Sequence, residues 1–192
     1  MNHKNIELLE KVQHGEVYFP VQLYRPFLDD YNRILLDHWH RHFEISYIMS
    51  GNAVYTINFQ DYQVHEGDII IMAPECLHSG KAIPGIYSEN ITILFDPSIL
   101  ETLQFDSCTS NYIAPLINND IIISSYIKNA RMNAKLIVDT IFQIATVIQE
   151  KSICYELQIK SLIYQLLYHL YNQGFAKASH SSEFDKHASD QV

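Results

Sequence analysis

His38-Trp39-His40-Arg41-His42-Phe43-Glu44 and Gly67-Asp68-Ile69-Ile70-Ile71-Met72-Ala73-Pro74-Glu75-Cys76-Leu77-His78 are the two stretches that decide the fold. Side chains alternate faces along a strand, so a regular strand over the first stretch points His38, His40 and Glu44 the same way. His42 shares that parity and either replaces one of them or faces the rim. Two imidazoles and a carboxylate on one face suit a divalent metal, and His78, on a second strand brought alongside, completes a four-residue shell. Trp39, Arg41 and Phe43 then face outward. The two aromatic side chains need a cover, which an amino-terminal segment carrying Phe19 and Tyr24 can supply.

Working outward, short strand patterns broken by turn residues dominate from about Val17 to Tyr126. Ala53, Tyr55, Ile57 and Phe59 alternate with Val54, Thr56 and Asn58, the period of two expected of a strand. Gly51-Asn52 ahead of them reads as a tight hairpin. Gly67-Asp68 opens the run Ile69-Ile70-Ile71-Met72, which Pro74 stops. Asn90 to Phe95 is another strand, with Asn90 and Thr92 on one face and Ile91, Ile93 and Phe95 on the other. That polar face either meets the hydroxyls of a ligand or faces solvent. The fold class is mainly β, a sandwich or barrel.

After about Ala130 the period becomes helical. Ile137, Ile141, Ile144 and Ile148 form one stripe, with Val138, Phe142 and Ala145 beside it. A break at Lys151-Ser152 precedes a second helix, from about Cys154 to Gln173, with Gly174 as a terminator. Both helices are apolar over a wide arc. Either they pack on the β domain, or one stripe packs inward while Ile159, Ile163, Leu166 and Leu170, at coiled-coil spacing, form a homodimer seam. The second arrangement is the expectation. Ala176 to Val192 is polar except for Phe184. It reads as a disordered linker, with His180 and His187 solvated. The organisation is therefore residues 1–126 as a barrel with its amino-terminal segment, 127–175 as a helical dimerisation element, and 176–192 as linker.

Composition bounds the function. Thirteen Lys and Arg against 22 Asp and Glu give a net charge of −9. That balance argues against direct nucleic-acid binding by this polypeptide, and no basic recognition helix is present. The amino terminus lacks the apolar core of a signal peptide, and no apolar run reaches the length of a membrane span. Cys76, Cys108 and Cys154 are an odd number at unrelated spacings, so no disulfide framework is expected. A cytoplasmic protein is the expectation.

The two stretches resemble the motifs of the cupin family. His38, His40, Glu44 and Gly51 match the first motif. Gly67, Pro74 and His78 match the second, but Cys76 stands where the family prefers glycine, and Ala82 where an asparagine is usual. The resemblance implies a cupin-like double-stranded β-barrel, or jelly roll, whose interior holds a ligand or metal. With two amphipathic helices and a polar linker added, and Arg25-Pro26 ahead of the barrel, residues 15–175 resemble the amino-terminal half of AraC-type transcription regulators. That likeness implies a small polar effector in the barrel, such as a sugar, and a homodimer contact on the second helix. It also implies a carboxy-terminal helix-turn-helix domain, which this chain does not contain. An excised fragment is the favoured explanation of that lack, a naturally truncated relative the other. On this reading His38, His40, Glu44, His78, Asn90 and Thr92 bind the effector, and the chain catalyses nothing and needs no cofactor. The alternative is a metal-dependent cupin enzyme, an isomerase or dioxygenase, with His38, His40, Glu44 and His78 holding the metal.

Overall fold

The computed structural model describes residues 6–102 and 106–178. Its central element is β4 (Phe43–Ile57), which belongs to two sheets at once. The first half of β4 pairs with β6 (Ile69–Met72) and β8 (Ser88–Phe95). Beyond β8 lie β1 (Val21–Tyr24) and β2 (Phe27–Leu28), and β10 (Tyr126–Ile127) flanks β6. The second half of β4 pairs with β5 (Gln60–His65) and β7 (His78–Ala82), and β7 pairs on its other side with β3 (Ile34–His38). All of these pairings are antiparallel, and the two sheets close face to face as the cupin-like jelly roll expected from the motifs.

The switch between sheets occurs at Gly51, and it corrects the hairpin expected at Gly51-Asn52: the chain continues as strand. Gly51 has φ +73°, and a Cβ there would sit 1.7 Å from the Tyr87 carbonyl oxygen. Only glycine takes that bend at such close backbone approach. The real hairpin follows at Asn58-Phe59, where φ values of 46° and 69° give the left-handed pair that a two-residue turn requires.

Alternation along β4 and β8 sorts residues into two cores. Outward-facing Phe43, Ile45, Tyr47, Ile91, Ile93 and Phe95 lie in one cluster with the helices, and inward-facing Ile48, Tyr55, Ile57, Ile70 and Met72 fill part of the barrel. Two short helices, α1 (Ala114–Ile117) and α2 (Ala130–Asn133), precede the two long ones, α3 (Lys135–Glu150) and α4 (Tyr155–Asn172), which lie near the expected limits.

The expected dimer seam is corrected. Ile159, Ile163, Leu166 and Leu170 are each 0% exposed and belong to the core shared by α3, α4 and the barrel. The large apolar face of the β-sheet consumes both helical stripes, so a seam at coiled-coil spacing points inward. The apolar residues that α4 leaves exposed, Leu157 and Tyr168, are separated on its surface by Ser161 and Gln165 and form no continuous strip.

The linker expectation is also corrected at its start. Ala176–Ala178 form β11, which pairs with β9 (Ile121–Ile123), and Ala176 is buried. His180, Phe184 and His187 lie outside the described residues.

Buried Asp68 ties the barrel to the helical half. Oδ2 accepts from the Tyr126 hydroxyl (2.7 Å) and the His65 amide (2.9 Å), and Oδ1 accepts from the Asn129 amide (2.8 Å).

Candidate functional site

His38 ends β3 and Glu44 lies one residue into β4; the four residues between the two strands, 39–42, leave the ladder. The regular strand assumed from sequence is therefore broken, yet the expected side chains still converge. Two backbone ties hold the break. The Glu75 amide donates to the His40 carbonyl (2.6 Å), and the Trp39 amide donates to the Leu8 carbonyl (3.0 Å). His78 enters from β7 directly opposite His38 in the β3–β7 register. In the second motif the left-handed backbone falls on Glu75 (φ 63°), so a cysteine at position 76 meets no backbone penalty.

The geometry at the centre is that of a ligating cluster. His38, His40 and His78 each offer a ring nitrogen, and these atoms lie within 4.8 Å of one another. Each Nδ1 is paired to a backbone carbonyl: His38 to Leu36 (2.8 Å), His40 to His42 (3.2 Å) and His78 to Cys76 (2.9 Å). Donation through Nδ1 fixes the tautomer and leaves Nε2 of His38 and His78 with a lone pair facing the cluster. Glu44 stands beside them, with Oε2 at 3.1 Å from His40 Nε2 and 3.6 Å from His78 Nε2. Nε2 of His78 is buried without a hydrogen-bond partner among the described residues.

Electrostatics divide the histidines. Burial opposes charge on His40, but its hydrogen bond to Glu44 and that carboxylate's charge outweigh burial and raise its pKa. Burial lowers the pKa of His78. Burial would raise Glu44, yet the His40 hydrogen bond and the neighbouring imidazoles hold it below the usual carboxylate value. His42 is pushed down by burial and by His14 and His40.

From this cluster a polar strip runs along the inner wall of the barrel. Ser46 Oγ donates to Glu44 Oε1 (3.4 Å) and lies 2.7 Å from Thr92 Oγ1 across the β4–β8 pair. Further along, Asn90 donates to the Tyr55 hydroxyl, while its Oδ1 is buried without a partner among the described residues. Asn90 and Thr92 are 2% and 3% exposed, so their face is the barrel interior rather than solvent.

Two residues at the site were missed from sequence. The segment at Leu8–Glu10 pairs with the backbone of Trp39, whose carbonyl accepts from the Glu10 amide (2.9 Å), whereas Phe19, expected as cover, packs against Tyr155 at the helical core and Tyr24 reaches His14. Glu10 Oε2 then lies 2.9 Å from His14 Nε2 and 3.9 Å from His38 Nε2. His14 is buried, 2.8 Å from the Tyr24 hydroxyl, and its ring packs edge-on against His42 at 4.8 Å. His42 thus sits beside the central three histidines, against His14. The i,i+4 spacing of Glu10 and His14 was the one available signal. Phe43, expected to need the same cover, is instead sealed against Phe95 in the helical core.

Outside the barrel, a cavity of about 350 Å³ lies along Ile34, Leu36, Thr56, Phe59, Ser79 and Lys81. Thr56 and Ser79 are opposite in register and alternate with inward-facing Tyr55, Ile57, His78 and Gly80, which puts this cavity on the outer face.

A cupin-type barrel with a buried histidine cluster and helices on its outer sheet defines a class of small-ligand-binding domains. The chain belongs to the AraC-like ligand binding domain family, whose model matches residues 21–167. It is 26% identical over 180 residues to an uncharacterised HTH-type transcriptional regulator, YdeC, of Bacillus subtilis (strain 168), an alignment covering 93% of this chain and 61% of that protein. Among solved structures it is similar to a cupin protein from Bacteroides fragilis (21% identity, 44% of this chain and 72% of that one, TM-score 0.39). It is also similar to a cupin-like protein from Thermotoga maritima (20% identity, 41% and 59%, TM-score 0.37). No helix among the described residues is long and apolar enough to cross a membrane.

Proposed function

We propose that this chain senses a small polar effector inside the barrel, at His38, His40, Glu44, His78, Asn90 and Thr92, and passes that state to a helix-turn-helix DNA-binding domain in the whole protein. It catalyses no reaction and binds no DNA by itself. The observation that carries this reading is the buried polar strip from Glu44 through Ser46 and Thr92 to Asn90 and Tyr55. Polar groups inside a barrel cost stability unless they are paired, and a core needed only for packing would hold aliphatic side chains there. Apolar Ile48 and Met72 beside that strip suit the carbon skeleton of a sugar, and the strip suits its hydroxyls. A thermal-shift panel of neutral monosaccharides against residues 1–192 tests the reading. At least one sugar is expected to stabilise the wild type and to lose that effect in Asn90→Leu. A panel that leaves the melting temperature unchanged contradicts the effector class.

A second reading rests on the three Nδ1–carbonyl pairs, which orient Nε2 atoms as the outer contacts of a metal site do. His38, His40 and His78, with Glu44 beside them, fit a borderline divalent ion such as zinc or nickel. Such an ion would polarise an oxygen of a bound ligand, and with open positions it would suit a metal-dependent cupin enzyme. Elemental analysis of protein purified without chelator separates the two readings. Stoichiometric metal lost in His78→Ala supports the second; metal-free protein that still binds a sugar supports the first.

A further inference from the structure

Two carboxylates flank the three central histidines, and only one of them belongs to a sequence motif. On one side Glu44 Oε2 lies 3.6 Å from Nε2 of His78. On the other, Glu10 Oε2 lies 3.9 Å from Nε2 of His38. The two relationships are chemically alike. Each imidazole spends its Nδ1 proton on a backbone carbonyl, that of Leu36 for His38 and that of Cys76 for His78. In the neutral ring Nε2 then carries a lone pair, and a carboxylate oxygen faces it at a separation too long for a hydrogen bond. Two acceptors turned toward each other repel unless a positive charge lies between them. One cation held by the ring nitrogens of His38, His40 and His78, which lie within 4.8 Å of one another, serves both sides at once.

The backbone and a neighbouring side chain hold Glu10 in place. Its amide donates to the carbonyl of Trp39, the residue after His38 (2.9 Å), and the Trp39 amide donates to the Leu8 carbonyl (3.0 Å). His14 Nε2 lies 2.9 Å from the same Oε2, and His14 Nδ1 lies 2.8 Å from the Tyr24 hydroxyl. Ligating carboxylates ordinarily have such an outer hydrogen bond. We propose that Glu10 is a ligand of the cation site, a second carboxylate beside His38, His40, His78 and Glu44. This role rests on the metal reading of the cluster and adds to it a residue outside both motifs. Two carboxylates balance the charge of a divalent ion, which neutral imidazoles cannot do, and a buried charge is costly unless it is paired. Three imidazoles with two carboxylates suit zinc and extend the choice toward manganese, because carboxylates favour harder ions.

Calorimetric titration of chelator-treated residues 1–192 with zinc, together with the absorption spectrum of the cobalt(II)-loaded chain, tests the proposal. Glu10→Gln keeps a hydrogen-bonding group beside His14 but removes the charge and the stronger donor. It should weaken zinc binding by about tenfold or more, a loss that an outer contact can also produce. The cobalt bands separate the two roles, since only a lost ligand changes their position and intensity. Asp37→Asn removes a carboxylate next to His38 in sequence but on the outer cavity, and should bind zinc within about twofold of the wild type. Cobalt bands unchanged in Glu10→Gln overturn the proposal and leave a site of His38, His40, His78 and Glu44 standing. Weakening matched by Asp37→Asn also overturns it, because general charge then accounts for the effect. A wild type that binds neither ion overturns it together with the metal reading.

Discussion

The Glu44 carboxylate lies 3.1 Å from Nε2 of His40, four residues apart in sequence and both buried. That pair sets the charge state of the cluster, because it alone among the histidine contacts holds an imidazole above its ordinary pKa. The raised His40 and the depressed Glu44 favour each other's charged forms, so the two charges, where both are present, offset one another.

The pair has a pH signature. A raised folded-state pKa for His40 means its contribution to stability is fully present below the unfolded imidazole value of 6.5 and is lost as pH rises through the folded value. Glu44, depressed, contributes above the ordinary 4.5 and loses that contribution as pH falls through its folded value. Wild type minus Glu44→Gln, compared by urea unfolding in chelator-treated protein, should therefore be largest between about pH 5 and 6. It should shrink on both sides. A difference that keeps growing above pH 7 would contradict the assignment.

Leu166 is wholly buried beneath the barrel. Leu166→Ala should cost about 2–5 kcal/mol in denaturant unfolding, and Leu166→Asp should not fold at all. A folded Leu166→Asp monomer would restore the surface seam that the structure removes.

Gly51→Ala combines a left-handed φ with a backbone oxygen 1.7 Å from the new Cβ. Unless β4 breaks there, the clash cannot relax, and a loss of roughly 3 kcal/mol or more is expected by thermal or denaturant unfolding. A loss below about 1 kcal/mol would mean that β4 does not carry the sheet switch at that point.

Asp68→Ala strands the Tyr126 hydroxyl and the His65 and Asn129 amides together. About 2–4 kcal/mol should be lost, since buried donors left unpaired each carry a desolvation cost. Hydrogen exchange should show the loss concentrated at residues 126–134, where the barrel hands over to the helices; protection unchanged in that stretch would sink the clamp.

The strands and helices were legible because burial follows simple periods: Ile91, Ile93 and Phe95 against Asn90 and Thr92, and Ile137, Ile141 and Ile144 along one helical face. The convergence of His38, His40, Glu44 and His78 was legible from the motif spacing even though the strand between them breaks, because backbone bonds from Glu75 and Leu8 restore the aim. Three things were hidden. A glycine that ends a strand and one that bends it look alike, so Gly51 read as a turn. Heptad-like spacing in α4 gives the apolar face but not whether sheet or partner covers it. Glu10 and His14 reach the site through one short segment whose docking depends on the backbone of Trp39, and such pairing leaves no trace in side-chain pattern.

The most direct test of the central claim is calorimetric titration of residues 1–192 with the sugar that stabilises them best, repeated on Asn90→Leu and Thr92→Val. One ligand per chain should bind the wild type, and each variant should lose about tenfold or more in affinity, since a missing partner for a buried ligand hydroxyl costs roughly 1–3 kcal/mol. Binding left unchanged by both substitutions would place the ligand elsewhere and contradict the barrel as the sensing site.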